Sequence, residues 1–276
     1  MPTPFASFFG PLFDPLFIEP FFTGLAFALL LPLLGAYLRL RDEWLAALAF
    51  AQTAAAGSLL ALLAGLPLML GGLLAALAAA ALKSLFDGAA RGVQGAAYAM
   101  LLVAGWGVSV LLVANLPLAE RLGHALFDGQ IYFTDSSNLI AAAVSVLVVG
   151  AGLLRLSRAL LLSHFFPDFF RARGRSAHQV HLLFDLLAAA TLAQATMSIG
   201  VMAAFALIFV PPLVAWRWAR GWRRSLVVAV VAGVVAYVLA FVLALVLDQP
   251  FGPLLALIMV VAGVVSGLAQ RGHFRR

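Results

Sequence analysis

The chain has 276 residues, of which 64% are hydrophobic and only 10% are charged, and its formal net charge is +6. A soluble domain carries roughly 25% charged residues, so this chain holds too little polar surface to coat a water-soluble globule. It contains no cysteine, which excludes a disulfide framework, thiolate metal sites and cysteine nucleophiles. The composition indicates an integral membrane protein without an attached soluble module.

Apolar segments suited to crossing a bilayer recur along the whole chain. A spanning helix needs about 20 apolar residues, which predicts an all-α fold, a polytopic membrane helix bundle of about nine transmembrane helices (eight to ten). The segments are residues 20–38, 45–64, 67–82, 93–114, 139–162, 181–199, 200–216, 225–247 and 251–269. The third is short, and the sixth and seventh are joined through residues 198–200 by a tight hairpin or a broken helix. Small residues in 45–57 predict close helix packing in lipid.

The two ends of the chain differ from its middle. Residues 1–19 are aromatic, interrupted by prolines and without a basic n-region, so they predict an interfacial lead-in and not a secretory signal. Residues 20–270 form a single predicted transmembrane domain. Residues 271–276 form a basic tail.

The basic residues predict the orientation in the membrane. If Arg39 and Arg41 mark the cytoplasmic end of the first helix, sixteen of the seventeen basic residues fall inside and Arg121 alone falls outside. By the positive-inside rule the N-terminus is then outside and the C-terminus inside. The basic charge is thus explained by topology, and binding to nucleic acid is not expected, because basic residues interleaved with tryptophan are ordinary at a membrane interface.

An unusually polar and aromatic inner loop interrupts the apolar pattern at residues 161–183. Within it, Pro167 and Asp168 suit the first turn of a helix and Gly174 suits its end, which predicts a helix of about two turns near 166–175. Such a helix could anchor the loop at the interface. Alternatively, its phenylalanines enter a groove of a partner and its arginines determine the register.

Few ionisable side chains are predicted inside the membrane, and Asp185 is the most deeply placed carboxylate. Together with His178 and His181 it forms the pattern His-x-x-His-x-x-x-Asp, which lies on one helix face and offers ligands for a divalent metal. Asp185 could instead pair with an arginine or cap a neighbouring helix. In the outer loop, His124 and Asp128 are candidates to receive cargo.

Several stretches, in the family's order, resemble the permeases of ABC transporters for metals (zinc, manganese or iron). The inner loop "FPDFFRARGR" resembles the coupling helix that contacts the ATPase, with Pro167, Asp168, Phe169, Ala172 and Gly174 matching the family's pattern. Residues 197–220 resemble a second motif of the family, and residues 248–257 resemble its entry to the last helix. A weaker match lies at 125–139. The coupling residues implied are Pro167, Asp168, Phe169, Phe170, Arg171, Ala172, Arg173 and Gly174. The other motif residues are Gly200, Pro211, Pro212, Arg217, Asp248, Pro250, Gly252 and Pro253.

The resemblance implies a permease subunit of an ABC importer in a bacterial inner membrane, working as a homodimer. An ATPase subunit that uses ATP and Mg²⁺ and an extracytoplasmic substrate-binding protein are the implied partners, and the chain itself binds no cofactor and is not an enzyme. The only lysine is Lys83, so the chain has no phosphate-binding loop of the type that ends in Gly-Lys-Ser/Thr. The alternatives are a secondary transporter driven by an ion gradient and a membrane scaffold that transports nothing.

The chain departs from the family in the second helix, where the family carries an Asp and a His facing the translocation path. Ala46 and Phe50 stand at these positions, and the nearest polar side chains are Gln52 and Thr53. Phe50, Gln52, Thr53 and Asp185 are the candidates for the path. An amide and a hydroxyl are poor ligands for a bare transition-metal ion, so the metal crosses as a chelate, is guided by other residues, or is replaced by another cargo.

Overall fold

A computed structural model of the protein describes residues 15–86, 91–129, 131, 134–166, 168, 170 and 177–273. In these residues ten α-helices follow one another, and no strand is present. The helices are α1 (Pro15–Leu40), α2 (Trp44–Leu63), α3 (Leu68–Ser84), α4 (Arg91–Asn115), α5 (Pro117–His124), α6 (Ser136–Phe165), α7 (His178–Ile199), α8 (Val201–Trp218), α9 (Trp222–Leu247) and α10 (Phe251–His273). A π-helical turn, Ala125–Gly129, follows α5. The predicted all-α class is confirmed.

Eight of the described helices are long and apolar enough to cross a bilayer. The other two are shorter, α3 with 17 residues and α5 with 8. The prediction of a polytopic bundle with eight to ten spans is therefore confirmed, and the segment predicted to be short is the short helix α3. The outside and inside assignment of the two termini stays a prediction.

The junction between α7 and α8 consists of one residue, Gly200, which has φ +87°. Residues with a Cβ rarely adopt this conformation. Added to Gly200, a Cβ would also lie 2.7 Å from the Cα of Gly129, so the backbone of the π-helical turn touches the junction directly. The short linker predicted at residues 198–200 is thus a one-residue interruption packed against a second glycine.

The chain divides into two compact units. The first comprises the described parts of Met1–Ala36, His124–Val144 and Ala195–Arg276, and the second comprises those of Tyr37–Gly123 and Ser145–Gln194. In the first unit α8 packs against α9, α10 and the π-helical turn. An aromatic cluster around Tyr237 stabilises this unit, and the Tyr237 hydroxyl donates a hydrogen bond of 2.9 Å to the carbonyl of Phe21.

In the second unit α2 is the central helix, packed against both α3 and α4. Its Gly57 faces α3 so closely that an added Cβ would lie 2.5 Å from the carbonyl oxygen of Gly71. Contacts of this kind between small residues hold helices together in lipid, where apolar burial adds little. The close packing predicted for residues 45–57 is present in the structure.

The first turn of α6 is capped by Asp135, whose Oδ1 accepts hydrogen bonds from the Ser137 hydroxyl (2.7 Å) and from the backbone amide of Asn138 (3.1 Å). The hydrogen bond from Ser137 is the main cause that lowers the pKa of Asp135, because it favours the charged carboxylate. The sequence Asp-Ser-Ser-Asn therefore explains why this helix begins where it does.

Replacing Gly57 by alanine tests the close approach of α2 and α3. We expect Gly57→Ala to lower the thermal unfolding midpoint in detergent, because overpacking costs about 1–3 kcal/mol. The matched control is Gly107→Ala in α4, where an added Cβ meets no atom within 4 Å. Both changes gain the same helix propensity, up to about 1 kcal/mol, so equal midpoints for the two variants would show that the contact at Gly57 is unimportant.

Candidate functional site

Four charged side chains form a buried network in the second unit: Arg41, Glu43, Lys83 and Asp185. The Arg41 guanidinium lies 2.9 Å from Oδ1 of Asp185 and 2.7 Å from a carboxylate oxygen of Glu43. The Lys83 ammonium lies 3.0 Å from the same Glu43 oxygen and also contacts Oδ2 of Asp185. The side chains of Lys83 and Asp185 are 0% exposed. Each cation thus bridges both carboxylates, and the network is neutral as a whole.

Three separate parts of the fold supply these side chains. Arg41 and Glu43 lie in the turn between α1 and α2, which closes through a hydrogen bond of 2.9 Å from the Glu43 amide to the Leu38 carbonyl. Asp42, between them, has φ +60°, a left-handed conformation that a short polar residue tolerates. Lys83 lies in the last turn of α3, and Asp185 lies about two turns into α7.

The network persists in apolar surroundings because its charges compensate one another. Moving an isolated ion out of water costs several kcal/mol, whereas a pair with good geometry and further hydrogen bonds recovers most of that cost. Burial raises the pKa of Glu43 above the ordinary 4.5, while Arg41 and Lys83 act in the opposite direction. Glu43 therefore takes up a proton at a higher pH than an ordinary glutamate.

The three residues predicted as metal ligands are used differently. Asp185 is bound by Arg41 and Lys83, as the alternative of a pairing with an arginine predicted. His181 lies with its Nε2 3.0 Å from the Ser163 hydroxyl, and His178 is exposed. The described part of the chain contains no group of three His, Cys, Asp or Glu that could hold a metal ion. The structure therefore does not assemble His178, His181 and Asp185 into a metal site.

The predicted path residues of α2 lie in the interior of the second unit. Ala46 and Phe50 are both 0% exposed, and Gln52 is 3% exposed. The Thr53 hydroxyl donates to the carbonyls of Ala49 (2.9 Å) and Phe50 (3.0 Å). The Gln52 side-chain oxygen has no hydrogen-bond partner among the described residues, which makes it the polar atom of this set that remains available to another group.

The remaining motif residues occupy structural positions in the first unit. Pro211 and Pro212 are buried inside α8, and the Arg217 guanidinium donates a hydrogen bond of 2.8 Å to the carbonyl of Gly263 in α10. Asp248 ends α9 in a left-handed conformation with φ +50°. Pro250, Gly252 and Pro253 lie at the start of α10. These residues interrupt or join helices, as the prolines and glycines suggest.

The predicted coupling segment is described only in part. Asp168 is helical and exposed, and Phe170 is helical and half-buried. Pro167, Phe169, Arg171, Ala172, Arg173 and Gly174 lie outside the described residues. In the outer loop, His124 is exposed, and the side chain of Asp128 also lies outside the described part. The roles predicted for both loops stay predictions.

Lys83 is the member of the network that sequence reasoning missed. It was counted as an interfacial charge that reports topology, yet it is fully buried and ion-paired. The sequence did contain a signal for this burial. Lys83 is the only lysine of the chain and lies directly after an alanine-rich stretch, and an ionisable residue inside a membrane requires a partner. The identity of the partners was not readable, since Asp185 lies 102 positions away.

The fold and the buried charges define a multi-pass α-helical membrane protein. The ABC 3 transport family matches residues 14–270, so the chain belongs to that family, and the resemblance to metal-family permeases is confirmed. It is 26% identical over 215 residues to a "Probable iron transport system membrane protein" of Haemophilus influenzae, covering 75% of this chain and 78% of the relative.

Two solved structures share the fold. The PsaBC structure from Streptococcus pneumoniae, in complex with a Fab, superposes with a TM-score of 0.82 at 18% identity, covering 95% of each chain. A second, described as an inward-facing metal-chelate type ABC transporter, gives a TM-score of 0.77 at 19% identity, covering 91% of this chain and 85% of the other. At these identities the likeness establishes the fold alone.

Removing Lys83 tests the buried network. We expect Lys83→Met to destabilise the protein by about 3–5 kcal/mol, because two buried carboxylates then share one cation. The double variant Lys83→Met/Glu43→Gln restores neutrality and leaves the Arg41–Asp185 pair, so it should recover part of the loss. Thermal unfolding in detergent measures both, with the exposed Arg121→Met as control. A single variant as stable as this control would contradict the network.

Proposed function

We propose that the protein is the membrane-spanning permease of an ABC importer that moves a divalent metal ion or a metal chelate into the cytoplasm. Membership of the ABC 3 transport family over residues 14–270 is the observation that carries the proposal. The proposed setting is a bacterial inner membrane, with two copies of the chain forming the translocation path between them. Zinc, manganese and iron are the candidate metals.

A separate ATPase subunit supplies the energy, and an extracytoplasmic binding protein delivers the cargo. The only lysine of the 276 residues is Lys83, and its ammonium is buried and paired with Glu43 and Asp185, so it is not available to bind nucleotide phosphates. The ATPase docks on the segment near 166–175, where Asp168 is exposed. Its movements switch the access of the path, a population shift supplied by the partner.

Of the two forms of cargo, a bare metal ion and a metal chelate, the chelate is the one proposed. A bare divalent ion needs carboxylate or imidazole ligands in place of its hydration shell. The carboxylate of Asp185 is neutralised by two cations, and Ala46 and Phe50 give the central helix α2 no charged side chain at the positions where the family has ligands. A chelate carries its own ligands and needs only polar contacts, of which the Gln52 amide is the candidate in α2.

Replacing the coupling residues tests the docking of the ATPase. In proteoliposomes containing the permease and its ATPase, we expect Asp168→Ala/Phe169→Ala/Phe170→Ala to lower ATP-dependent uptake by roughly thirtyfold, as for the loss of about 2 kcal/mol at a docking hot spot. Uptake is measured by elemental analysis of the vesicles.

The control for this experiment removes one carboxylate and two exposed aromatic rings elsewhere. Glu120 is exposed, and Phe22 and Trp106 are 51% and 52% exposed, so Glu120→Ala/Phe22→Ala/Trp106→Ala should transport normally. Undiminished uptake by the coupling variant would remove the docking assignment. Uptake by the chain alone, without any ATPase, would contradict the proposed function and favour a carrier driven by an ion gradient.

Comparing a chelated metal with bare metal ions tests the cargo class. With the same vesicles, we expect iron supplied as its citrate complex to enter faster than manganese or zinc supplied as chlorides, because the path offers no carboxylate pair for a bare ion. Gln52→Leu should slow the uptake of the complex, whereas Ser58→Ala, at another buried polar position of α2, should not. If the chlorides enter as fast as the citrate complex, and Gln52→Leu changes neither rate, the cargo is the bare ion.

A further inference from the structure

An arginine-rimmed groove lies where α8 ends and α9 begins, in the first unit. Its lining consists of Trp218, Ala219, Arg220, Arg223, Arg224, Val227 and Val228, and its volume is about 450 Å³. The arginines are exposed, and Val227, one turn further into α9, is 62% exposed. The groove therefore offers cationic groups at the end of two spanning helices and an apolar wall that continues along one of them.

The three arginines of the groove differ from the neighbouring Arg217. Arg217 is engaged by the carbonyl of Gly263 at 2.8 Å, whereas no residue in the described part of the chain forms an ion pair or hydrogen bond with Arg220, Arg223 or Arg224. Trp218 is positioned by its own hydrogen bond, 2.9 Å from the indole nitrogen to the Ser266 hydroxyl. One wall of the groove is thus held in place, while its cations are available to a ligand.

The sequence around these arginines is almost free of acidic residues. Between Asp185 and the C-terminal Arg276 the sequence contains a single acidic residue, Asp248. Asp248 follows the far end of α9, a helix of 26 residues, which places it about 40 Å away at 1.5 Å per residue. Three cations close in sequence repel one another, and two of them lie in the first turn of α9, where the helix terminus is itself positive. An anion would offset both effects.

We propose that this groove binds one anionic phospholipid of the membrane, with the phosphate against Arg220, Arg223 and Arg224 and an acyl chain along Val227 and Val228. Guanidinium groups match phosphate oxygens in pairs, and tryptophan is suited to the headgroup level. The arginines belong to the predicted cytoplasmic face, whose leaflet carries the anionic lipids. An acidic partner protein would account for the arginines but not for the apolar wall, so the lipid is favoured.

The test measures lipid retained by the whole 276-residue chain in detergent, by native mass spectrometry, with dioleoyl phosphatidylglycerol and dioleoyl phosphatidylcholine titrated in turn. We expect one phosphatidylglycerol to bind in preference. Since an arginine near anionic lipid is worth about 1 kcal/mol, or fivefold, Arg220→Gln/Arg223→Gln/Arg224→Gln should weaken this binding by about a hundredfold. The control Arg121→Gln/Arg155→Gln/Arg158→Gln removes the same charge elsewhere and should bind as the unaltered chain does.

Two further measurements distinguish binding of a phospholipid from binding of free phosphate. Val227→Trp fills the groove without changing its charge, so it should also release phosphatidylglycerol, while millimolar inorganic phosphate should not displace the lipid. Equal retention by the groove and control variants would overturn the proposal. Displacement of the lipid by inorganic phosphate, or retention of the lipid by Val227→Trp, would overturn it as well. The same holds if the triple arginine variant keeps its lipid but no longer assembles with the ATPase.

Discussion

The neutral network of Arg41, Glu43, Lys83 and Asp185 is the interaction on which the second unit depends. A membrane protein can bury such charges only if they compensate one another, and this requirement holds several backbone segments in register at once. Asp185 has both its partners only when the turn after α1, the end of α3 and the first half of α7 are all in place, whereas Glu43 requires the first two of these segments. The approach of α2 to α3 also involves small residues such as Gly57 and Gly71, whose contacts are close but not directional.

The position of Asp185 connects this network with the proposed point of energy input. Asp185 lies seven residues after the first residue of α7, about 10 Å along the helix axis, and α7 follows directly on the loop that contains the predicted coupling segment. Under the proposed function, a displacement of that loop by the ATPase moves α7 against the other three charges. Because helix packing and ion pairs have discrete arrangements, such a displacement either leaves the network intact or exchanges it for another one.

Hydropathy predicted the helices well, because a bilayer imposes both a length and a composition on every span. The short third segment and a break near residues 198–200 could be predicted for the same reason, although not that the break is the single residue Gly200. The partners of buried charges were not visible, because they depend on contacts between residues 102 and 144 positions apart. The spacing of His178, His181 and Asp185 correctly places them along one helix, but spacing cannot show that two cations from other segments already occupy the carboxylate.

The basic residues that the positive-inside rule counts equally have different roles in the folded chain. Arg41 and Lys83 form ion pairs in the internal network, and Arg217 donates a hydrogen bond to the carbonyl of Gly263. The orientation rule counts them nevertheless, since it depends on lysine and arginine during insertion and hardly on acidic neighbours. What remains at the surface after folding is a smaller set, and in the described part of the chain it includes Arg220, Arg223 and Arg224. The basic charge from which the orientation is predicted is therefore divided in the folded protein between internal interactions and arginines that remain exposed.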